Sequence, residues 1–331
     1  MPHEPGHRGE NHRAQRHVRI VADGPLPAAI RKLLGNHVEV LPWTVATAGN
    51  PLPVDGIYTY DRPRVDEGIL DQLPGVKVIS NNGVGVDHID VGAATARGIP
   101  VGNTPGIPAG ATADLGFALI LAAARRVTEG DRFSRRPDVT VFDPGDLVGR
   151  EVYGQTLGII GLGQIGAAVA RRARGFDMTV VYHNRHRRRD VEPLVEARYV
   201  SLSELLEVSD FVLLSVPLTE QTQGMIGSGA LAQMKSTATL VNIARGAVVD
   251  TTALTAALQN GDIHSAALDV TEPEPLPRDH PLLTMDNVTI TPHLGTASAQ
   301  TRQRMNEISV ENLLRGIRGE PLLFVVDCAG S

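Results

Sequence analysis

One residue in the 331 is cysteine, Cys328. No disulfide can form within a single chain, and a reducing, cytoplasmic setting is expected. Aromatic residues make up 4%, too few for a platform that stacks single-stranded bases. No apolar run approaches the ~18 residues of a membrane-spanning helix. The first residues are polar, so no signal peptide is expected. Positive charge is not in excess: 31 Lys and Arg against 37 Asp and Glu leave a net charge of −6, which argues against nucleic acid as a partner. His3, His7, His12 and His17 have neither a fixed spacing nor a carboxylate partner, so no metal site is expected. Residues 1–16, rich in His, Arg, Gly and Pro without periodicity, read as a disordered leader. What is present is ordinary for a globular protein, with 42% hydrophobic and 21% charged residues and length for two domains.

The chain is organised around TLGIIGLGQIG, residues 156–166. Its apolar opening, broken only by Gly158, is short enough for a buried parallel strand. Gly161-x-Gly163-x-x-Gly166 follows and leads into helix-forming residues 167–174, with a further strand at 178–182. Gly161 suits a tight turn, Gly163 lets the backbone approach a pyrophosphate, and Gly166 lets helix and strand pack closely. The free N–H groups of the helix start would face the phosphates. The candidate dinucleotide cradle is therefore Gly161, Leu162, Gly163, Gln164, Ile165 and Gly166. The strand before it and the helix after it argue against a glycine-rich turn without a ligand.

Upstream, residues 18–22, 38–41, 56–60 and 77–80 read as strands, and 27–34 and 66–73 as helices. This alternation predicts a parallel α/β sheet of its own. NNGVGVDHID, residues 81–90, follows a strand directly, where open α/β sheets hold ligands. Val84 and Gly85 there either offer backbone N–H groups to an anion or belong to a plain turn. Residues 90–97 predict a short helix and 99–102 a short strand. Residues 103–110, with two prolines and two glycines, predict a hinge or domain crossing. Residues 111–127 predict one long helix, apolar nearly all round and so buried between domains or subunits. Thr112 and Asp114 at its start are candidate caps. Residues 134–146 read as a loop. Downstream, strands are expected at 158–161, 179–182, 211–215, 239–242, 264–269 and 289–291, with helices between them and a final helix at 307–317.

The end of the second strand of a dinucleotide fold separates NAD from NADP, because an acid there bonds the ribose 2′-hydroxyl and an arginine accepts a 2′-phosphate. Here the strand runs out into Asn184, Arg185, His186, Arg187, Arg188 and Arg189, with no carboxylate before Asp190. Arg185 with Arg187 or Arg188 suits a dianionic phosphate, so NADPH is favoured and NAD(H) remains possible. A solvated basic turn is the alternative.

Three further stretches each follow a predicted strand. VNIARG carries Arg245, HSAALDVTEPEP carries Asp269, Glu272 and Glu274, and TPHLG carries His293. Strand ends on one edge of a parallel sheet converge, so an arginine, an acid and a histidine can meet. Taken singly, Arg245 reads as a salt-bridge partner, Glu274 as a surface acid and His293 as a strand-end cap. Together they suit reduction of a 2-keto acid. A histidine protonates the carbonyl oxygen, a carboxylate behind it orients the ring and favours the imidazolium, and an arginine grips the substrate carboxylate.

VGVDHID, ATAD, TLGIIGLGQIG, VPLTEQTQGMIG, VNIARGAVVD, ALDVTEPEPLP and TPHLGTAS together resemble the D-isomer-specific 2-hydroxyacid dehydrogenases, over nearly all of residues 77–321. Within that family the chain most resembles the glyoxylate/hydroxypyruvate reductases, through DVTEPEPLP, DHPLL, the HNR turn and the closing RGEP. The resemblance implies an α/β fold of two doubly wound parallel-sheet domains. A Rossmann NAD(P)-binding domain, residues 111–296, would be inserted in a split flavodoxin-like substrate domain, residues 17–110 and 297–331. It implies reduction of a small 2-keto acid to the D-2-hydroxy acid, with Arg245 binding and polarising the substrate, Glu274 behind the histidine, and His293 as proton donor. It further implies Val84 and Gly85 as donors to the substrate carboxylate. Asp269 and Ile243 would contact the nicotinamide, with Ala244, Thr112, Pro217 and Gly295 nearby. A homodimer is implied, with the long helix and the following loop embracing the partner. Two segments depart from the family: residues 107–114 read IPAGATAD, and Val139 and Phe142 stand where tryptophans are usual in the dimer arm. D-lactate, phosphite or a phosphonate keto acid therefore remain alternative substrates. A long-form phosphoglycerate dehydrogenase is disfavoured, since no regulatory domain follows Pro321. A dinucleotide-sensing corepressor-like protein is the alternative outside enzymes.

Overall fold

The computed structural model describes residues 17–60, 63–141, 143 and 145–326. The leader 1–16, Phe142 and Cys328 lie outside the described residues. The chain forms two compact units. Among the described residues, one comprises the segments within 17–103 and 306–326, and the other those within 104–305. The divisions fall after Asn103 and Met305, several residues from the expected 110/111 and 296/297. The last helix, Ala299–Arg318, runs across the second division.

The first unit is built on strands β1 (Val18–Ala22), β2 (Val38–Pro42), β3 (Gly56–Thr59), β4 (Ile79–Asn81) and β5 (Val101–Gly102). All pair in parallel, in the order β2-β1-β3-β4-β5. Side chains alternate between the faces. Val21, Ile57 and Ile79 enter one core, while Ile20, Ala22 and Tyr58 enter the other with Val310 and Leu313 of the last helix. A parallel sheet covered on both faces needs this near-continuous apolar content, and each Ile or Leu so buried contributes ~1.5–3 kcal/mol. Asp66 and Asp90 cap the helices Glu67–Gln72 and Val91–Ala96 by accepting from Ile69 N–H and Ala93 N–H.

The second unit carries β6 (Thr156–Ile160), β7 (Thr179–His183), β8 (Ala197–Tyr199), β9 (Phe211–Leu214), β10 (Thr239–Asn242), β11 (Ser265–Leu268) and β12 (Val288–Ile290). They form one parallel sheet, β12-β11-β10-β9-β6-β7-β8. Chain order reverses direction across β6, so the crevice between β6 and β9 is the topological switch point where such sheets take ligands. Leu157, Ile159, Phe211 and Leu213 face one core; Ile160, Val212 and Leu214 face the other. Both units are doubly wound, as the sequence implied.

Four expectations are corrected. The helix expected over 111–127 spans Ala109–Ala124 and stops there. Arg126 turns left-handed (φ 52°), and the Ala124 carbonyl accepts from Arg150 N–H at 2.7 Å. A second helix, Val127–Ser134, then starts within the expected helix and loop. Edge strand β8 was not foreseen, because its three residues, Ala-Arg-Tyr, carry no apolar pattern. The last helix begins at Ala299 rather than 307, because its first turns are polar. The helix after the glycine turn begins at Gln164 rather than 167.

Candidate active site

The glycine turn sits at the C-terminal end of β6. Gly161 has φ +104°, and a Cβ there would lie 2.8 Å from the Ser215 backbone. A Cβ on Gly166 would lie 2.2 Å from the Gly161 carbonyl oxygen, whereas one on Gly163 would meet nothing within 4 Å. Two glycines therefore let backbone meet backbone, and the middle one borders open space. Ser215 Oγ donates to the Gly161 carbonyl at 2.6 Å, and Leu162 N–H donates to Asn184 Oδ1 at 2.6 Å. The turn is thus tied to both neighbouring strands. No side chain caps the helix Gln164–Ala173 that follows, so its first N–H groups remain available to an anion. Gln164, Ile165 and Gly166 form its first turn.

Beyond β7 the basic residues divide. Arg187 is held by both carboxylate oxygens of Glu192, at 2.7 and 2.8 Å, and Arg188 by both of Asp190, at 3.0 and 2.8 Å. Glu192 also accepts from the Tyr182 hydroxyl. Arg187, then that hydroxyl, draw its carboxyl down to about 2. Burial and then Glu192 push the Tyr182 phenol up to about 12. Arg185 and His186 are exposed, and among the described residues Arg185 has no acidic partner.

The other half of the same edge carries the charged set. Arg245 follows β10. Asn242 Nδ2 donates to the Arg245 carbonyl at 2.9 Å, and Ala244 N–H donates to Asn242 Oδ1 at 3.0 Å, so one asparagine folds the loop. A Cβ on Gly246 would lie 2.0 Å from the Thr271 carbonyl. The Arg245 loop therefore lies directly against the acidic loop after β11. There Glu274 accepts from His293 Nδ1 at 2.6 Å. Among the described residues, His293 is one of five non-glycine residues with positive φ, at 55°. Asp269, 2% exposed, holds that conformation. Its carboxylate accepts from Thr291 Oγ1 at 2.7 Å, Leu294 N–H at 2.6 Å and Gly295 N–H at 2.8 Å, and its carbonyl accepts from His293 N–H. Thr112 does not cap its helix: its hydroxyl donates to the Gly295 carbonyl at 3.1 Å. Asp114 pairs with Arg172. Ile243 and Ala244 are buried, and Ile243 lies close to Gly116 of the helix Ala109–Ala124. Pro217 is exposed beyond β9, its carbonyl accepting from Thr222 Oγ1.

In the first unit, Val84 and Gly85 lie on the loop after β4. Val84 is 39% exposed. Its carbonyl accepts from Asn103 Nδ2 and that of Gly85 from Asn81 Nδ2, each at 2.9 Å.

Residues 117–295 match the family model described as D-isomer specific 2-hydroxyacid dehydrogenase, NAD binding domain. A glyoxylate reductase of Korarchaeum cryptofilum is 51% identical over 257 residues, 77% of each chain. The chain belongs to the D-isomer specific 2-hydroxyacid dehydrogenases. It is an NAD(P)-dependent oxidoreductase of that family. A Thermus thermophilus protein of known structure superposes with a TM-score of 0.85 at 41% identity, covering 94% of this chain and 100% of its own. The NADPH-dependent glyoxylate/hydroxypyruvate reductase of Sinorhizobium meliloti, solved with NADP and malonate, superposes with a TM-score of 0.84 at 31% identity over 94% and 97%.

The matched residues of this dehydrogenase include Arg245, Asp269, Glu274 and His293, whereas Val84 and Gly85 lie outside them. Sequence reasoning passed over Asn242, Thr291, Ser215 and Glu192. Asn242, Thr291 and Ser215 are polar residues at or just past a strand end, the one signal that could have marked them, whereas Glu192 opens a short helix nine residues beyond β7. Their partners are 2 to 54 residues away in the chain, and the distant ones leave no local pattern.

Proposed function

We propose that this dehydrogenase reduces a small 2-keto acid of the glyoxylate or hydroxypyruvate type to the D-2-hydroxy acid, with NADPH preferred and NADH accepted. The observation that carries the reading is the Nδ1 contact of His293 with Glu274 at 2.6 Å. With Nδ1–H donating to the carboxylate, the ring is held in one orientation and Nε2 is the nitrogen left to carry the proton that is transferred. His293 then protonates the carbonyl oxygen as negative charge develops on it. Arg245 grips the substrate carboxylate and polarises the carbonyl. The N–H groups of Val84 and Gly85 are read as further donors to a substrate carboxylate.

The glycine cradle fits a dinucleotide, since Gly163 borders open space while Gly161 and Gly166 do not. The residues that would hold it are the turn 161–166, Asn184 to Arg187, Pro217, Ile243, Ala244, Asp269, Thr112 and Gly295. When bound it supplies the hydride to the carbonyl carbon. Arg185, which like Arg189 has no acidic partner among the described residues, would take the 2′-phosphate. Exposed Val127, Val141, Val148 and Tyr153 support a homodimer of this unit, testable as a doubled mass in sedimentation. A cytoplasmic setting belongs to the same proposal.

The test is absorbance of the reduced nicotinamide with glyoxylate, hydroxypyruvate, pyruvate and a phosphonate keto acid, each with NADPH and NADH. Rapid oxidation of NADPH by glyoxylate or hydroxypyruvate is expected. Tight cofactor binding without turnover of any of the four would overturn the reading.

A further inference from the structure

The loop after β4 contains a glycine whose two flanking peptide planes are both clamped. Asn103 Nδ2 donates to the Val84 carbonyl, and Asn81 Nδ2 donates to the Gly85 carbonyl. The clamps come from neighbouring strand ends. Ser80 of β4 pairs with Gly102 of β5, and the two asparagines are the next residues along. Asn81 is buried, and its amide is oriented by Thr59, whose hydroxyl donates to Oδ1 at 2.8 Å. With Oδ1 so engaged, Nδ2 faces Gly85.

A trans peptide holds its N–H opposite its C=O. Fixing the Val84 carbonyl therefore aims the Gly85 N–H, and fixing the Gly85 carbonyl aims the Val86 N–H. Among the described residues, none of the N–H groups of Val84, Gly85 and Val86 donates to a protein atom. Glycine is the residue whose backbone would otherwise sample the widest range. Two side-chain amides on one glycine hold in place a donor that no secondary structure holds.

We propose that Asn81 and Asn103 are positioning residues for the carboxylate of the 2-keto acid, acting through the Gly85 N–H that they aim. This rests on the reading of Val84 and Gly85 as carboxylate donors. Neither asparagine needs to touch substrate. Each restricts the loop before binding, so that less ordering remains to be done when the anion arrives.

Asn103→Ala is the primary test, because Asn103 is only half-buried and its loss leaves no buried partner stranded; Asn81→Ala is the second variant. The expected result for Asn103→Ala is a KM for the keto acid raised about tenfold, with kcat and the KM for NADPH each within about twofold of wild type. The dissociation constant of oxalate, an inert dicarboxylate measured by calorimetry with NADPH present, should rise by the same factor. Asn103→Gln, which keeps an amide donor, should recover part of the loss. A merely structural role would instead lower the melting temperature and shift cofactor and keto-acid constants together. An unchanged keto-acid KM and unchanged oxalate affinity in a variant of native melting temperature would overturn the proposal. If the wild type binds oxalate but reduces none of the keto acids, the reductase reading fails, and the asparagines are judged on oxalate affinity alone. A wild type that neither reduces keto acids nor binds oxalate overturns both.

Discussion

The two ends of the seven-stranded sheet present function in opposite ways. Around β6 and β7 the working surface is backbone. Glycines bring main chain against main chain, and the first N–H groups of a helix stay open to an anion. Around β10, β11 and β12 it is side chain. An arginine, a glutamate and a histidine sit on loops braced by buried polar residues, above all Asp269 with its three donors to one carboxylate. The backbone half requires residues that omit atoms, since a methyl at Gly166 has nowhere to go. The side-chain half requires partners, since the His293 ring takes its orientation from Glu274. On the proposed function, the same parallel sheet would hold a cofactor by shape on one side of its switch point and direct chemistry by charge on the other.

Substitutions on each side can break that contrast. The largest effect is expected on the charged side. His293→Ala should lower turnover by ~10²–10⁴ while cofactor affinity stays nearly intact, as read by steady-state rates and NADPH fluorescence titration; wild-type turnover would remove His293 from the chemistry. Next comes Gly166→Ala, which forces a Cβ against the Gly161 carbonyl. We expect it to cost ~1–3 kcal/mol of stability and to weaken NADPH and NADH alike, by denaturant titration and cofactor binding. A selective loss of one cofactor would contradict a cradle made of shape alone. Arg185→Ala sharpens the contrast, because it places a charge on the backbone side. NADPH should weaken about tenfold and NADH little; equal weakening would refute the 2′-phosphate role.

The smallest effect is expected at Glu192. Its carboxyl lies at about 2, below its ordinary value of 4.5, chiefly through Arg187 and then the Tyr182 hydroxyl. A depressed carboxyl stabilises the fold above its unfolded value and loses that contribution as pH falls through the folded one. The melting temperature of Glu192→Gln should therefore lie slightly below wild type near neutral pH, and the gap should close between pH 4.5 and about 2. The gap stays small because the paired arginine is half exposed to solvent. A gap independent of pH would mean that the pair contributes nothing through its charge.

How much was legible before folding differs between the same two regions. The turn 161–166 could be read from residues alone, because the need for a missing Cβ leaves glycine as a near-unique local mark. So could the strand ends bearing Arg245, Glu274 and His293, because parallel strands carry their functional residues to one edge. Helix limits were less legible. The helix expected to continue to 127 stops at Ala124, since a distant N–H, that of Arg150, takes the carbonyl there.

Residue types, spacing and alternation were enough to set parallel α/β sheets, the glycine turn after β6 and the polar character of the loops that follow the later strands, because each depends on periodicities and steric permissions local to the chain; the doubly wound form came from the family resemblance. Pairing was decided only in three dimensions. That Asp269 braces the loop of His293 and that Asn81 and Asn103 clamp a single glycine both depend on which strands become neighbours. A hydrogen bond forms between whatever donor and acceptor the packed sheet brings within about 3 Å, and no local pattern in the chain encodes that distance.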